Sequence, residues 1–215
     1  MNAIVLAGGK STRFLNLSSP GKAFLHFDGR SIIETIISSL YSMFDRVCVV
    51  AGENEAFYRL KQVYSDIEVI EDKIPGKNSL GGIYSGLVHS NALSNFVIAC
   101  DMPFINSRLI QYLIEHSAGY DITVPMVHNH FEGLHAIYSK HCISLIEKQL
   151  AEQNLKVIDF YNKAKLKRVP EDIVRLFDPD LLSFININNR EEYRRALKIH
   201  TNLMECSNDN VVTAC

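Results

Sequence analysis

Short apolar runs recur along this chain, and several end at glycines or at an acid. Ala3 to Ala7 reads as a buried strand that breaks at Gly8 and Gly9. Arg46 to Ala51 predicts a second core strand, Ile67 to Ile70 a third, Asn95 to Cys100 a fourth and Tyr120 to Pro125 a fifth. Stretches with helical spacing lie between them. Ile32, Ile33, Ile36, Ile37 and Leu40 form one apolar face behind Ser31, and Glu34 completes a capping box with that serine. Glu53 to Tyr64, Leu80 to His89 and Ser107 to His116 read as further helices. Strand and helix alternating this often predicts a three-layer α/β/α fold with a mainly parallel mixed sheet.

The rhythm changes after Pro125. Met126 to Glu132 reads as a polar loop in which His128 and His130 are solvated. Gly133 to Tyr138 alternates and predicts an antiparallel strand. Ser139 to Glu152 reads as a helix, Lys156 to Lys163 as a short one, and Leu166 to Val169 and Leu181 to Ile187 as extended. Asn188 is placed to cap a final helix, Glu191 to Ile199. Earlier, Phe14 to Gly21 has turn composition and Ala23 to Phe27 reads as a short strand. One domain over residues 1–200 is expected, with 201–215 as a disordered tail.

Composition narrows the function classes. A chain of 215 residues with a formal net charge of −2 lacks the basic surplus of a nucleic-acid binder. No apolar stretch is long enough to span a bilayer, and Met1 to Val5 lacks a basic leader, so a cytoplasmic location is expected. The five cysteines include no closely spaced pair, which argues against a disulfide framework or a zinc site.

Candidate chemistry gathers at the strand ends. After Gly8 and Gly9 come Lys10, Ser11, Thr12 and Arg13. Glycines followed by donors and cations bring backbone N–H groups close to a phosphate. A P-loop is excluded, because the glycine it requires would fall at Ile4. The dinucleotide fingerprint is excluded too, since the two glycines are adjacent and no third follows in register. Asp72 and Asp101 end two other strands.

Three segments stand out together: Leu6 to Arg13 with the later Lys22, Val69-Ile70-Glu71-Asp72, and Cys100-Asp101-Met102-Pro103-Phe104. With them the chain resembles the nucleotidyltransferases of glycosyltransferase-A-like fold, and among these the molybdenum cofactor guanylyltransferases. Ser79-Leu80-Gly81-Gly82, Asn186-Ile187-Asn188 and the segment around His135 match more loosely. The resemblance implies a Rossmann-like, nucleotide-diphospho-sugar transferase-like sheet. It implies transfer of GMP from GTP to molybdenum-molybdopterin, with Mg²⁺ as cofactor and pyrophosphate as by-product. Arg13, Lys22 and Asp101 would then be catalytic, with Asp101 the metal ligand. Leu6, Ala7, Gly8, Gly9, Lys22, Asp72 and Asp101 would bind the nucleotide.

Chemistry supports these assignments. Mg²⁺ takes one or two carboxylates and completes its shell with water and phosphate oxygens, so one aspartate suffices. Guanine offers two adjacent donors that a carboxylate accepts in a fork. His135 and the Gly81-Gly82 pair are second-substrate candidates on the same resemblance. Other molybdenum cofactor biosynthesis proteins and molybdoenzyme apoproteins are the implied partners. The stretch from Arg13 to Lys22 is longer than the family's pattern. Three alternatives stay open: a cytidylyltransferase, a sugar-phosphate nucleotidyltransferase, and a non-catalytic GTP-binding or carrier protein.

Overall fold

The structure is a computed structural model that describes residues 1–8, 21–27, 29–52, 55–74 and 76–212. The chain opens with β1 (Asn2–Leu6). Lys22–Phe24 then forms a 3-10 turn, and β2 (His26–Phe27) and β3 (Arg30–Ser31) make a small antiparallel hairpin. The short strand expected over Ala23 to Phe27 is therefore mostly turn. Helix α1 (Ile32–Tyr41) follows with its capping box formed as expected. Next come β4 (Val47–Ala51), α2 (Glu55–Val63), β5 (Ile67–Glu71), α3 (Asn78–His89), β6 (Ser94–Ala99) and α4 (Ser107–Glu115).

The second half carries β7 (Ile122–Val127), β8 (His130–Phe131), β9 (His135–Ser139) and α5 (Cys142–Ala151). His128 and Asn129 adopt positive φ (49° and 62°), so the polar loop is a tight turn between β7 and β8. After β10 (Leu166–Val169) a short α6 (Glu171–Arg175) appears that no apolar period announced. Leu182–Phe184 is a 3-10 turn inside the segment expected to be extended. Helix α7 (Arg190–Val212) runs on through the stretch expected to fray. Its side is secured where the His200 ring meets Phe27 edge-on, 4.8 Å between centroids.

Among the described residues the main sheet has eight strands, in the order β10-β7-β9-β6-β1-β4-β5, with β8 beside β7. β6, β1, β4 and β5 are mutually parallel, and β9 runs antiparallel to both β6 and β7 as its alternation predicted. Successive side chains of β1 point to opposite faces. Ala3 and Val5 join the core formed with α1, α4 and Ala196 of α7. Ile4 and Leu6 join the one formed with α3 and α5. These two cores on either face are the predicted three layers. Each Leu or Ile buried in them contributes about 1.5–3 kcal/mol.

Helix α3 lies unusually close to β1. A Cβ on Gly86 would sit 2.5 Å from Ile4 Cγ2, and one on Gly82 3.2 Å from Leu6 Cδ2. Gly82 therefore serves helix-on-strand packing.

Candidate functional site

Four adjacent parallel strands send their carboxyl ends to one edge of the sheet. Leu6 is in register with Ala99 on one side and Val50 on the other, and Val50 with Ile70. Two residues further along each strand's path come Gly8, Asp101, Gly52 and Asp72. Backbone bonds carry the order past the strand ends: Cys100 N–H to the Leu6 carbonyl (3.0 Å), Ala7 N–H to the Val50 carbonyl (2.8 Å) and Asp72 N–H to the Ala51 carbonyl (3.2 Å). Asp72 and Asp101 are thus on the same edge, three strand spacings or about 14 Å apart. Ligands of open α/β sheets bind outside this edge.

Asp101 is 7% exposed. One of its oxygens, Oδ2, is ion-paired with the Lys22 ammonium. The other, Oδ1, is buried and has no hydrogen-bond partner among the described residues. Lys22 also donates to Asn188 Oδ1 at 3.1 Å. The Ile187 N–H donates to the Asp101 carbonyl at 2.9 Å, which ties the segment before α7 to the end of β6. Asn188 is free to do this because its neighbour is the cap. Asn189 Oδ1 accepts from the N–H groups of Glu191 (3.0 Å) and Glu192 (2.9 Å). The capping role expected of Asn188 belongs to Asn189.

Asp72 is half-buried, and its Oδ1 accepts from the Ile74 N–H at 3.0 Å and the Ser85 hydroxyl at 2.8 Å. Ser85 has a second acceptor in the Gly81 carbonyl at 2.9 Å. Asp72 Oδ2 has no hydrogen bond among the described residues. Leu6 is buried in the sheet, while Gly8 is exposed and a Cβ there would meet nothing within 4 Å. Gly9, Lys10 and Arg13 lie outside the described residues.

His135 is fully buried, and neither ring nitrogen has a hydrogen-bond partner among the described residues. Its ring meets Phe96 and Phe184 edge-on at 5.1 and 5.3 Å. Burial pushes its pKa down to about 4, so it is a neutral core residue and cannot be the second-substrate contact suggested by the resemblance. The Cys100 thiol beside Asp101 is pushed up to about 12, by burial first and then by the aspartate's charge, so it is no nucleophile.

No group of three or more His, Cys, Asp or Glu side chains gathers as a metal cluster among the described residues. The set present, one buried carboxylate with an unpaired oxygen, suits Mg²⁺ completed by water and phosphate. No helix among them is long and apolar enough to cross a membrane.

Residues 3–166 match the MobA-like NTP transferase domain. A probable molybdenum cofactor guanylyltransferase of Natranaerobius thermophilus is 33% identical, covering 92% of this chain and 95% of that one. A molybdenum cofactor guanylyltransferase of Desulfosudis oleivorans is 32% identical, covering 91% and 94%. Among solved structures, molybdopterin-guanine dinucleotide biosynthesis protein A of Archaeoglobus fulgidus superposes with a TM-score of 0.79 at 28% identity, covering 94% of this chain and all of that one.

Proposed function

This chain belongs to the family of MobA-like NTP transferase domains, and from that premise we propose that it is a molybdenum cofactor guanylyltransferase that moves GMP from GTP to molybdenum-molybdopterin. The observation that carries the reading is Asp101: a buried carboxylate at the ligand-binding edge, paired to a lysine and left with one oxygen unpaired among the described residues.

In this reaction the terminal phosphate oxygen of the pterin attacks the α-phosphorus of GTP. The bond from that phosphorus to the bridging oxygen breaks, and pyrophosphate leaves. Positioning and electrostatics supply most of the rate, so no covalent nucleophile is needed. Asp101 would hold Mg²⁺, which when bound would draw charge from the phosphate oxygens. Lys22 meets the phosphates as a point charge, and Arg13 grips them in a fork. Gly8 and Gly9 let the chain approach the nucleotide closely. Leu6, Ala7 and Gly8 would add backbone contacts to the base. Asp72 accepts from guanine N1–H and the exocyclic amino group. Ser85 can turn to the Gly81 carbonyl and free Asp72 Oδ1 for that fork.

Guanine recognition by Asp72 favours GTP over CTP, whose base lacks the paired donors. The enzyme would work in the cytoplasm, passing product to molybdoenzyme apoproteins or to other cofactor-assembly proteins. Pyrophosphate release across the four nucleoside triphosphates, with and without molybdenum-molybdopterin, tests the proposal. Release is expected with GTP and pterin together. Faster release with CTP would make it a cytidylyltransferase, and GTP binding without release a carrier.

A further inference from the structure

A buried carboxylate without a counterion is costly, and here the counterion comes from the same chain. The Lys22 ammonium lies against Asp101 Oδ2, while Asn188 holds that ammonium from another side at 3.1 Å. A lysine cation on one oxygen of a carboxylate and a divalent cation on the other repel each other, and each weakens the other's hold on it. We infer that Lys22, held by Asn188, is the resting counterion of Asp101 and must leave it before a divalent cation binds, so that metal binding waits on the triphosphate that offers Lys22 a new partner. This inference rests on the guanylyltransferase reading of the site and adds an order of events to it.

The local structure suits such an exchange. Lys22 opens a 3-10 turn whose next residue, Ala23, is buried and whose Phe24 ring packs on Phe57 at 4.8 Å. The backbone is anchored, and only the lysine's long stem has to swing. Asn188 is anchored as well. Its N–H donates to Glu192 Oε2 at 2.6 Å, and the adjacent Ile187 N–H holds the Asp101 carbonyl at 2.9 Å. Its amide thus stays beside Asp101 when the ammonium leaves. The unpaired Oδ1 marks the face of the carboxylate that Lys22 does not use. Linkage makes the effect reciprocal: nucleotide tightens metal by the same factor as metal tightens nucleotide.

The test is Mn²⁺ binding to the full chain, followed by electron paramagnetic resonance without nucleotide and then with an α,β-methylene analogue of GTP. Lys22→Met and Lys22→Gln are expected to bind Mn²⁺ at least about fivefold more tightly than wild type without nucleotide. Asn188→Ala should shift affinity the same way by less, and Asp101→Asn should remove the site. The analogue should raise wild-type affinity more than that of Lys22→Met. General damage to the fold lowers affinity, so a gain separates the inference from a merely structural role. Thermal melts identify any variant that does not fold, and Lys22→Gln keeps a donor if Lys22→Met fails. Affinity in both lysine variants equal to or below wild type, with the site lost in Asp101→Asn, overturns the inference while sparing the guanylyltransferase reading. Mn²⁺ binding by Asp101→Asn equal to wild type overturns the inference together with Asp101's assignment as metal ligand. The expected gains in a protein that makes no guanine dinucleotide would uphold the exchange and overturn the proposed reaction.

Discussion

The two edges of the sheet both bury polar side chains, and they treat them differently. At the edge where β1 and β6 begin, Asn2 and Asn95 are 5% and 0% exposed. Asn2 donates to Ser90 (3.0 Å) and Asn91 (2.9 Å), and Asn95 accepts from Ser90 and donates to the Ala92 carbonyl (3.1 Å). The network closes on itself. At the opposite edge Asp101 is buried too, yet among the described residues one oxygen has no partner and the other has a single lysine. Buried polar groups in folded proteins are almost always satisfied from within. A satisfied network fixes the packing of strands and loops, whereas an open one keeps binding energy for something outside the chain. Thr123, His135 and Ser183 also have unpartnered polar atoms, but in neutral groups, where the cost is smaller than for a carboxylate oxygen.

The largest effect is expected where the open edge is broken. Asp101→Asn should cut guanylyl transfer by about 10²–10³-fold, in the range for losing one electrostatic contact to a transition state. Pyrophosphate release with GTP and molybdenum-molybdopterin measures it. Activity within a few-fold of wild type would erase the distinction between the edges. Breaking the closed edge should do the reverse. Asn95→Ala removes one buried and one partly buried hydrogen bond and should cost about 1–3 kcal/mol of stability by urea unfolding, with transfer per folded molecule unchanged. If the folded variant lost transfer, the closed network would have a role in the site.

The smallest effect near neutral pH sharpens the comparison through His135. Its pKa is about 4 in the fold against an ordinary 6.5. Between those values the unfolded chain binds a proton that the fold refuses, so stability is full above 6.5 and falls as pH drops toward 4. His135→Leu should flatten that slope in urea midpoints taken across the window. An unchanged slope would mean that another group carries the acid sensitivity.

Much of this was legible in the residues themselves. The strands before Gly8, Asp72 and Asp101 appear as apolar runs ended by glycines or acids, and the structure carries all of them to one edge. The capping box at Ser31 and Glu34 was readable because both partners lie within one helical turn. Other features were not readable at that range. Lys22 and Asn188 are 166 positions apart. Asn188 and Asn189 are chemically identical, and only the path of the chain past Asp101 decides which caps α7 and which faces Lys22. His135 reads as a polar residue near a strand start, and only the Phe96 and Phe184 rings that close over it make it core. Gly82 reads as access for a second substrate until β1 is laid against α3.

By itself the sequence determined the strands, their polar ends and the family pattern, because these depend on residues close together in the chain. The tertiary structure alone decided which polar groups are satisfied, since a hydrogen bond or ion pair is settled by distance in space. That is why Asp101 could be named from its motif, while its open oxygen and its lysine counterion became visible only in the fold.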